Sequence, residues 1–434
     1  MLDRKPKLVR VGPLDATYAG AKVWVLAGPT ESRDSSGYLP VLSRIAEGGP
    51  RSRVGLKPRR DQLLWEFEPT LDPSMVGGDL DLDPMKIEET MDRLVALKVD
   101  QPIFAANLHG YLAIGIDHGI GDAHAIIEIA AALTREGAPL PKGFVPPMPT
   151  LNVTKPMATV ARRIITGAPI GIAADIVLEA RMQSMRRRGV WADEGTQKSA
   201  EEASFGDKLP YYSTMFVRSG AAFLEALRDF RRQYFRGTST TALMFFFARR
   251  ELSRAGVRLT GTTGVLTDLR RFLRPNEATL ANMAPVARMA SPEGQTLPEF
   301  ASSFHRSVMS TYPATRALAG VALWPLRSKS IDGAGDAHRG KADRVELVMS
   351  DVTKLPSLQK VHYRGPDTAR INVVALPPAG RNYLTLAFLR VGSEIQVTAT
   401  YFPDVIPPEI LRAALQRALT IESLYVDQRD SDTT

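Results

Sequence analysis

A histidine and an aspartate four residues apart, in Asp117-His118-Gly119-Ile120-Gly121-Asp122-Ala123, are the residues best placed to do chemistry in this chain. Histidine has the one side chain whose unperturbed pKa, about 6.5, lies near neutrality, so it can take and return a proton within one cycle. The two glycines loosen the turn and allow another molecule to approach the main chain closely. Spacing alone leaves two readings open, a general base or a satisfied polar residue at a strand end. A hydrolase triad of His118, Asp122 and a serine is a weaker third, because no Gly-x-Ser-x-Gly elbow occurs on a strand-to-helix turn.

Rigid elements flank these residues. Ile103 to Leu108 and Tyr111 to Ile116 are rich in β-formers and meet at His109-Gly110, the pattern of a hairpin with a tight turn. Beyond Asp122, the residues Ala125, Ile126, Ile129, Ala130 and Leu133 recur at helical steps, with Asp122 where an N-cap belongs. His118 is therefore expected to leave a buried strand, and Asp122 to open a helix. The other histidines, His109, His124, His305, His338 and His362, have no motif around them and read as turn, surface or loop residues.

The run from His118 to Asp122 resembles the HxxxD signature of the chloramphenicol acetyltransferase-like superfamily, which includes BAHD acyltransferases, nonribosomal peptide condensation domains, and polyketide-associated and wax ester acyltransferases. Many relatives carry HHxxxDG, whereas this chain has Asp117 for the first His and Ala123 for the Gly. Gly264 to Arg271, followed by Leu280-Ala281-Asn282-Met283, is by itself a strand ending in a charged turn. It resembles the superfamily's D-x-R strand end and the Gly-Asn pair after it, with Ala281 for Gly. Ser350-Asp351-Val352-Thr353 stands where condensation-like proteins have a Ser-Asn-Val turn and BAHD proteins a DFGWG motif, with neither intact.

The resemblance implies an α/β chain of two similar lobes, each a mixed sheet flanked by helices, with a tunnel between them. It implies transfer of an acyl group from a thioester, on coenzyme A or a phosphopantetheinyl carrier protein, to a small-molecule alcohol or amine. His118 would be the general base, and Asp122 and Arg270 would form a structural pair. Gly119, Gly121, Asn282 and Asp351 would line the substrate site. No permanently bound cofactor and no metal are implied. The alternative is a catalytically silent condensation-like module that binds a carrier-borne or small ligand.

Composition sets the remaining bounds. A 434-residue chain with 44% apolar and 24% charged residues can build a large core. Without cysteine it has no disulfide, thiolate metal site or Cys nucleophile. No apolar run reaches the roughly 18 residues of a membrane span, and the N-terminus lacks a signal-peptide apolar core, so a cytoplasmic monomer without an integral membrane segment is expected. The net charge of +8 favours anionic partners. The basic runs Arg186-Arg187-Arg188, Arg231-Arg232 and Arg51 to Arg60 contain no nucleic-acid module and read first as solvated surface, then as a docking patch for coenzyme A or a carrier.

Along the chain, strands are expected at 21–27, 63–67, 211–217, 344–349, 371–376, 383–389 and 395–401. Helices are expected at 85–97, 157–166, 172–188, 220–234, 239–255 and 410–419, with a frayed tail after the last. Prolines from Pro139 to Pro156 mark a linker. The expected divisions are 1–136, an N-terminal lobe carrying the motif, 137–209, linker and crossover helices, and 210–434, a C-terminal lobe.

Overall fold

The computed structural model describes residues 7–30, 35–60, 62–134, 155–167, 212–275, 277–322 and 344–431. The linker prolines from Pro139 to Pro149, the expected helix at 172–188 with the run Arg186-Arg187-Arg188, and His338 lie outside these residues. In chain order the first elements are β1 (Lys7–Arg10), α1 (Pro13–Tyr18), β2 (Lys22–Gly28), α2 (Tyr38–Ala46), β3 (Leu56–Lys57), β4 (Leu64–Phe67), β5 (Val76–Asp79) and α3 (Ile87–Ala96). Next come β6 (Ile103–Leu108), β7 (Tyr111–Asp117), α4 (Ala123–Thr134), α5 (Lys155–Gly167), β8 (Ser213–Arg218), α6 (Phe223–Tyr234) and α7 (Thr240–Arg254). The remainder is β9 (Leu259–Leu266), β10 (Val286–Ala290), α8 (Leu297–Phe304), α9 (Tyr312–Ala322), β11 (Val345–Asp351), β12 (Ile371–Ala375), β13 (Tyr383–Val391), β14 (Glu394–Tyr401), α10 (Pro408–Ala418) and α11 (Ile421–Ser431).

Two mixed sheets carry the molecule, and a small third sheet is ordered β1-β4-β3. The first large sheet is ordered β12-β2-β7-β6-β5, with β5 parallel to β6. The second is ordered β10-β9-β11-β13-β14-β8, with β11 parallel to both neighbours. β7 reads as nearly continuous apolar sequence because both its faces are covered. Leu112, Ile114 and Ile116 pack with Ile126 and Ile129 of α4, while Tyr111 and Ala113 pack with Met91 and Leu94 of α3. The hairpin turn has positive φ at both His109 (48°) and Gly110 (88°), the backbone that suits the twist of the flanking strands.

Two elements depart from expectation. β12 falls within 210–434, yet it pairs antiparallel with β2 and extends the first sheet. The tail after α10 forms α11, because Tyr425 packs edge-on against Phe230 of α6 and gives the helix an apolar anchor. One edge of each large sheet, β8 and β12, is closed by side chains. The Thr214 and Phe216 amides of β8 donate to Asp92 (2.8 Å) and Glu88 (3.0 Å) of α3. On β12, the Asn372 amide donates to Gln396 (2.9 Å) and the Val374 amide to Thr398 (3.3 Å), both on β14.

Candidate active site

The turn between β7 and α4 is built inward from its glycines. A Cβ on Gly119 would lie 2.9 Å from the Trp65 ring and 3.0 Å from the Ala19 Cα. One on Gly121 would lie 2.4 Å from the Ala125 Cβ and 2.7 Å from the Leu280 carbonyl oxygen. The close approaches these glycines permit are made by the protein's own atoms. His118 is buried, 7% exposed, and its Nδ1 lies 3.1 Å from the Gly121 carbonyl. A carbonyl only accepts, so Nδ1 carries the hydrogen and Nε2 the lone pair. The Tyr18 ring stacks on the imidazole, with centroids 4.5 Å apart and planes inclined by 15°. Burial pushes the His118 pKa below its ordinary value, against the opposing pull of the Gly121 bond and of Asp122 and Asp15. The neutral ring, poised to accept a proton at Nε2, is therefore the form present at neutral pH.

Asp122 sits at the head of α4, where its Oδ1 accepts the His124 amide at 3.2 Å. Arg270, which follows the end of β9, grips it with both terminal nitrogens, Nη1 to Oδ2 at 2.8 Å and Nη2 to Oδ1 at 3.0 Å. The Met283 amide adds a bond to Oδ2 at 2.9 Å. Burial would raise the Asp122 carboxyl, but the adjacent guanidinium and these bonds more than offset it and hold the group below the usual carboxylate range. Arg270 also donates to the Thr279 carbonyl at 3.0 Å and the Ala281 carbonyl at 2.8 Å. The same cation thus shapes the loop that delivers Asn282.

Asn282 is 3% exposed and is spent on the turn itself. Its side-chain amide donates to the His118 carbonyl at 2.9 Å and to Asp15 Oδ1 at 3.0 Å, and its main-chain amide donates to the same Asp15 oxygen at 2.9 Å. Asp351 ends β11 and caps its own turn, accepting from the Thr353 amide (2.9 Å) and hydroxyl (2.6 Å) and from the Thr241 hydroxyl. None of its hydrogen bonds reaches the His118 turn. His118, Asp122, Arg270 and Asn282 are thus joined in one network, and Asp351 stands apart from it.

Asp15 and Arg53 were not anticipated. Asp15 of α1 is 1% exposed and meets Arg53, also 1% exposed, at 2.9 Å. Arg53 further donates to the Gly119 carbonyl at 2.9 Å and to the Ile120 carbonyl, so its guanidinium underlies the turn. This corrects the surface reading of the basic run for one member: Arg53 is internal because a carboxylate and two carbonyls replace its water. Its backbone is left-handed, with φ 66°. Asp15 does carry a local signal, since its Oδ2 accepts the Gly12 amide at 3.0 Å in a capping arrangement, but that signal reports a helix start. Within the described part of another run, Arg232 is exposed.

No protein-family model matches the sequence, and no curated protein is significantly similar to it. Solved structures are similar in fold. A nonribosomal peptide synthetase, FmoA3, matches over 95% of this chain and 42% of its own, at 16% identity and a TM-score of 0.53, so the present chain spans well under half of that relative's length. The TRI3 trichothecene 15-O-acetyltransferase of Fusarium sporotrichioides matches over 96% of this chain and 94% of its own, at 10% identity and a TM-score of 0.59. The chain has the chloramphenicol acetyltransferase-like fold. The EpoB cyclization-docking bidomain of Sorangium cellulosum also matches, over 96% of this chain and 86% of its own, at 11% identity and a TM-score of 0.53. Among the described residues, no helix of this fold is long and apolar enough to cross a membrane.

Proposed function

We propose that the protein transfers an acyl group from a thioester, carried by coenzyme A or a phosphopantetheinyl carrier protein, to the hydroxyl or amine of a small lipid or secondary metabolite. The observation that carries the proposal is the imidazole of His118, fixed as the Nδ1-H tautomer by the Gly121 carbonyl and kept neutral by burial. Nε2 takes the acceptor's proton as the acceptor's oxygen or nitrogen attacks the thioester carbonyl. The C–S bond of the tetrahedral adduct then breaks, and the protonated ring returns its proton to the departing thiolate. No covalent acyl-enzyme is required. Asp122, locked by Arg270, supports the turn and moves no proton, and a tunnel between the two sheets would admit donor and acceptor from opposite sides.

A panel of acyl thioesters and acceptors, followed by release of free thiol, tests this. His118→Ala should retain its circular dichroism spectrum and lose turnover by a factor on the order of 10² to 10⁴. Near-normal turnover in the folded variant removes His118 from the role of base. The departures at Asp117, Ala123 and Asp351 favour one second reading, a silent binding module. Saturable thioester binding without turnover, indifferent to His118→Ala, would select it.

A further inference from the structure

Asp117 ends β7 directly before His118, and its carboxylate joins two separate stretches of main chain. Oδ2 accepts the Gly20 amide at 2.9 Å, and Oδ1 accepts the Gly119 amide at 2.8 Å. Gly20 has φ +86°, a left-handed conformation that aims its N–H at the carboxylate and that a side chain would strain. The same two stretches are tied again beside it. The His118 amide donates to the Ala21 carbonyl at 2.6 Å, and the Tyr18 ring lies on the imidazole. The segment from Tyr18 to Ala21 is therefore a frame around His118, and Asp117 is its charged member. Lys22 on β2 is the cation facing Asp117, and Asp100, before β6, faces Lys22. Tyr18 to Ala21 and Trp65, which complete the surroundings of the turn, bring no formal charge.

We propose that Asp117 is a positioning residue: its ionised carboxylate, shared between the Gly20 and Gly119 amides, holds the imidazole of His118 in its working orientation. The ionised form offers a full acceptor to each amide. Protonation turns one oxygen into a hydroxyl, a poor acceptor whose hydrogen competes for the same space, and one tie is lost. Burial pushes the carboxyl up to about 6, against the pull of the two amide bonds and Lys22, so the loss falls just below neutral pH. The catalytic consequence rests on the acyl-transfer proposal above; the structural tie does not.

Two measurements test the two parts. In the ¹⁵N-labelled full chain, the Gly20 and Gly119 amide resonances should move together with one midpoint near 6, and the His118 ring resonance should follow. Amides that stay still between about pH 5 and 7, or that titrate apart, overturn the shared carboxylate. Asp117→Asn keeps the shape but lacks the second acceptor. It should lower kcat by about tenfold or more, leave KM within about twofold, and abolish the component of the kcat–pH profile near pH 6, with an unchanged circular dichroism spectrum. A folded Asp117→Asn protein with wild-type kcat and pH profile overturns the positioning role. If that variant does not fold, the wild-type amide titration decides. Coupled amide titration in a protein that turns over no thioester supports the tie and removes only the acyl-transfer proposal.

Discussion

At the scale of residues, Asp122 and Arg270 form a charge pair with little solvent, their side chains 4% and 15% exposed. Removing one partner strands the other, at a cost of about 3 to 5 kcal/mol for a fully buried pair. Asp122→Ala and Arg270→Ala should each lower stability and activity together, while Asp122→Asn, which keeps an acceptor at the head of α4, should be milder. A double-mutant cycle in urea should show a coupling above about 1 kcal/mol, and a value near zero would mean the pair does not hold the turn. The pH dependence separates the neighbours by sign. Asp122, held low, stabilises the fold above the ordinary carboxylate range and loses that contribution as pH falls. His118, held low as a base, resists protonation, so stability is also lost as pH falls below about 6.5. Asp117, raised to about 6, runs the other way and favours the fold as pH falls through that value. The drop in urea midpoint between about pH 7 and 5 should therefore be shallower in His118→Gln than in the parent, and equal slopes would contradict a buried neutral imidazole. That His118, Asp122, Arg270 and Asn282 belong together was legible only through the resemblance of their two short runs to the superfamily's motifs; spacing alone read the second run as a charged turn at a strand end. Asp15 and Arg53 were not legible, because only the folded chain shows that they bury their charges against each other.

At the scale of elements, α4 is the bar on which the turn hangs. Its head is tied to Arg270, its middle to Lys360 through buried Glu128 (2.7 Å), and its end to the His362 amide through the Thr134 hydroxyl (3.2 Å). Gly121→Ala tests how tightly the bar is seated. The added methyl meets backbone and a neighbouring Cβ that cannot swing aside, so it should cost about 1 to 3 kcal/mol and reduce turnover even though no charge is touched. Unchanged thermal stability would show that the turn has room for the methyl and is not tightly seated. The segment from β6 through α4 could be read from sequence to within a residue or so, because alternation, a turn pair and helical spacing are all local signals. β12 and α11 could not be placed. The first is a short apolar strand whose partner β2 lies far away in sequence, and the second is a polar helix ordered by its contact with α6.

At the scale of the molecule, the two sheets are stitched edge to neighbour by polar side chains. Glu88 and Asp92, one helical turn apart on α3, match the spacing of alternate amides on β8. Asp92→Ala should speed hydrogen exchange at the Thr214 amide by about tenfold or more and leave Met215, which pairs with Ala399 of β14, little changed. Equal acceleration at both would mean the whole strand opens as a unit. β12 carries a further consequence, for the order of events at the ribosome. β2 has Val23 to Ala27 wholly apolar and destined for burial, yet one of its two neighbours is encoded about 340 residues later. At about 5 to 20 residues per second, that edge waits on the order of tens of seconds for its partner. While the intervening residues are made, a nascent chain of this protein therefore carries an apolar strand with one edge open, and fragments ending before Ile371 should be captured by holding chaperones while those extending past Ala375 escape.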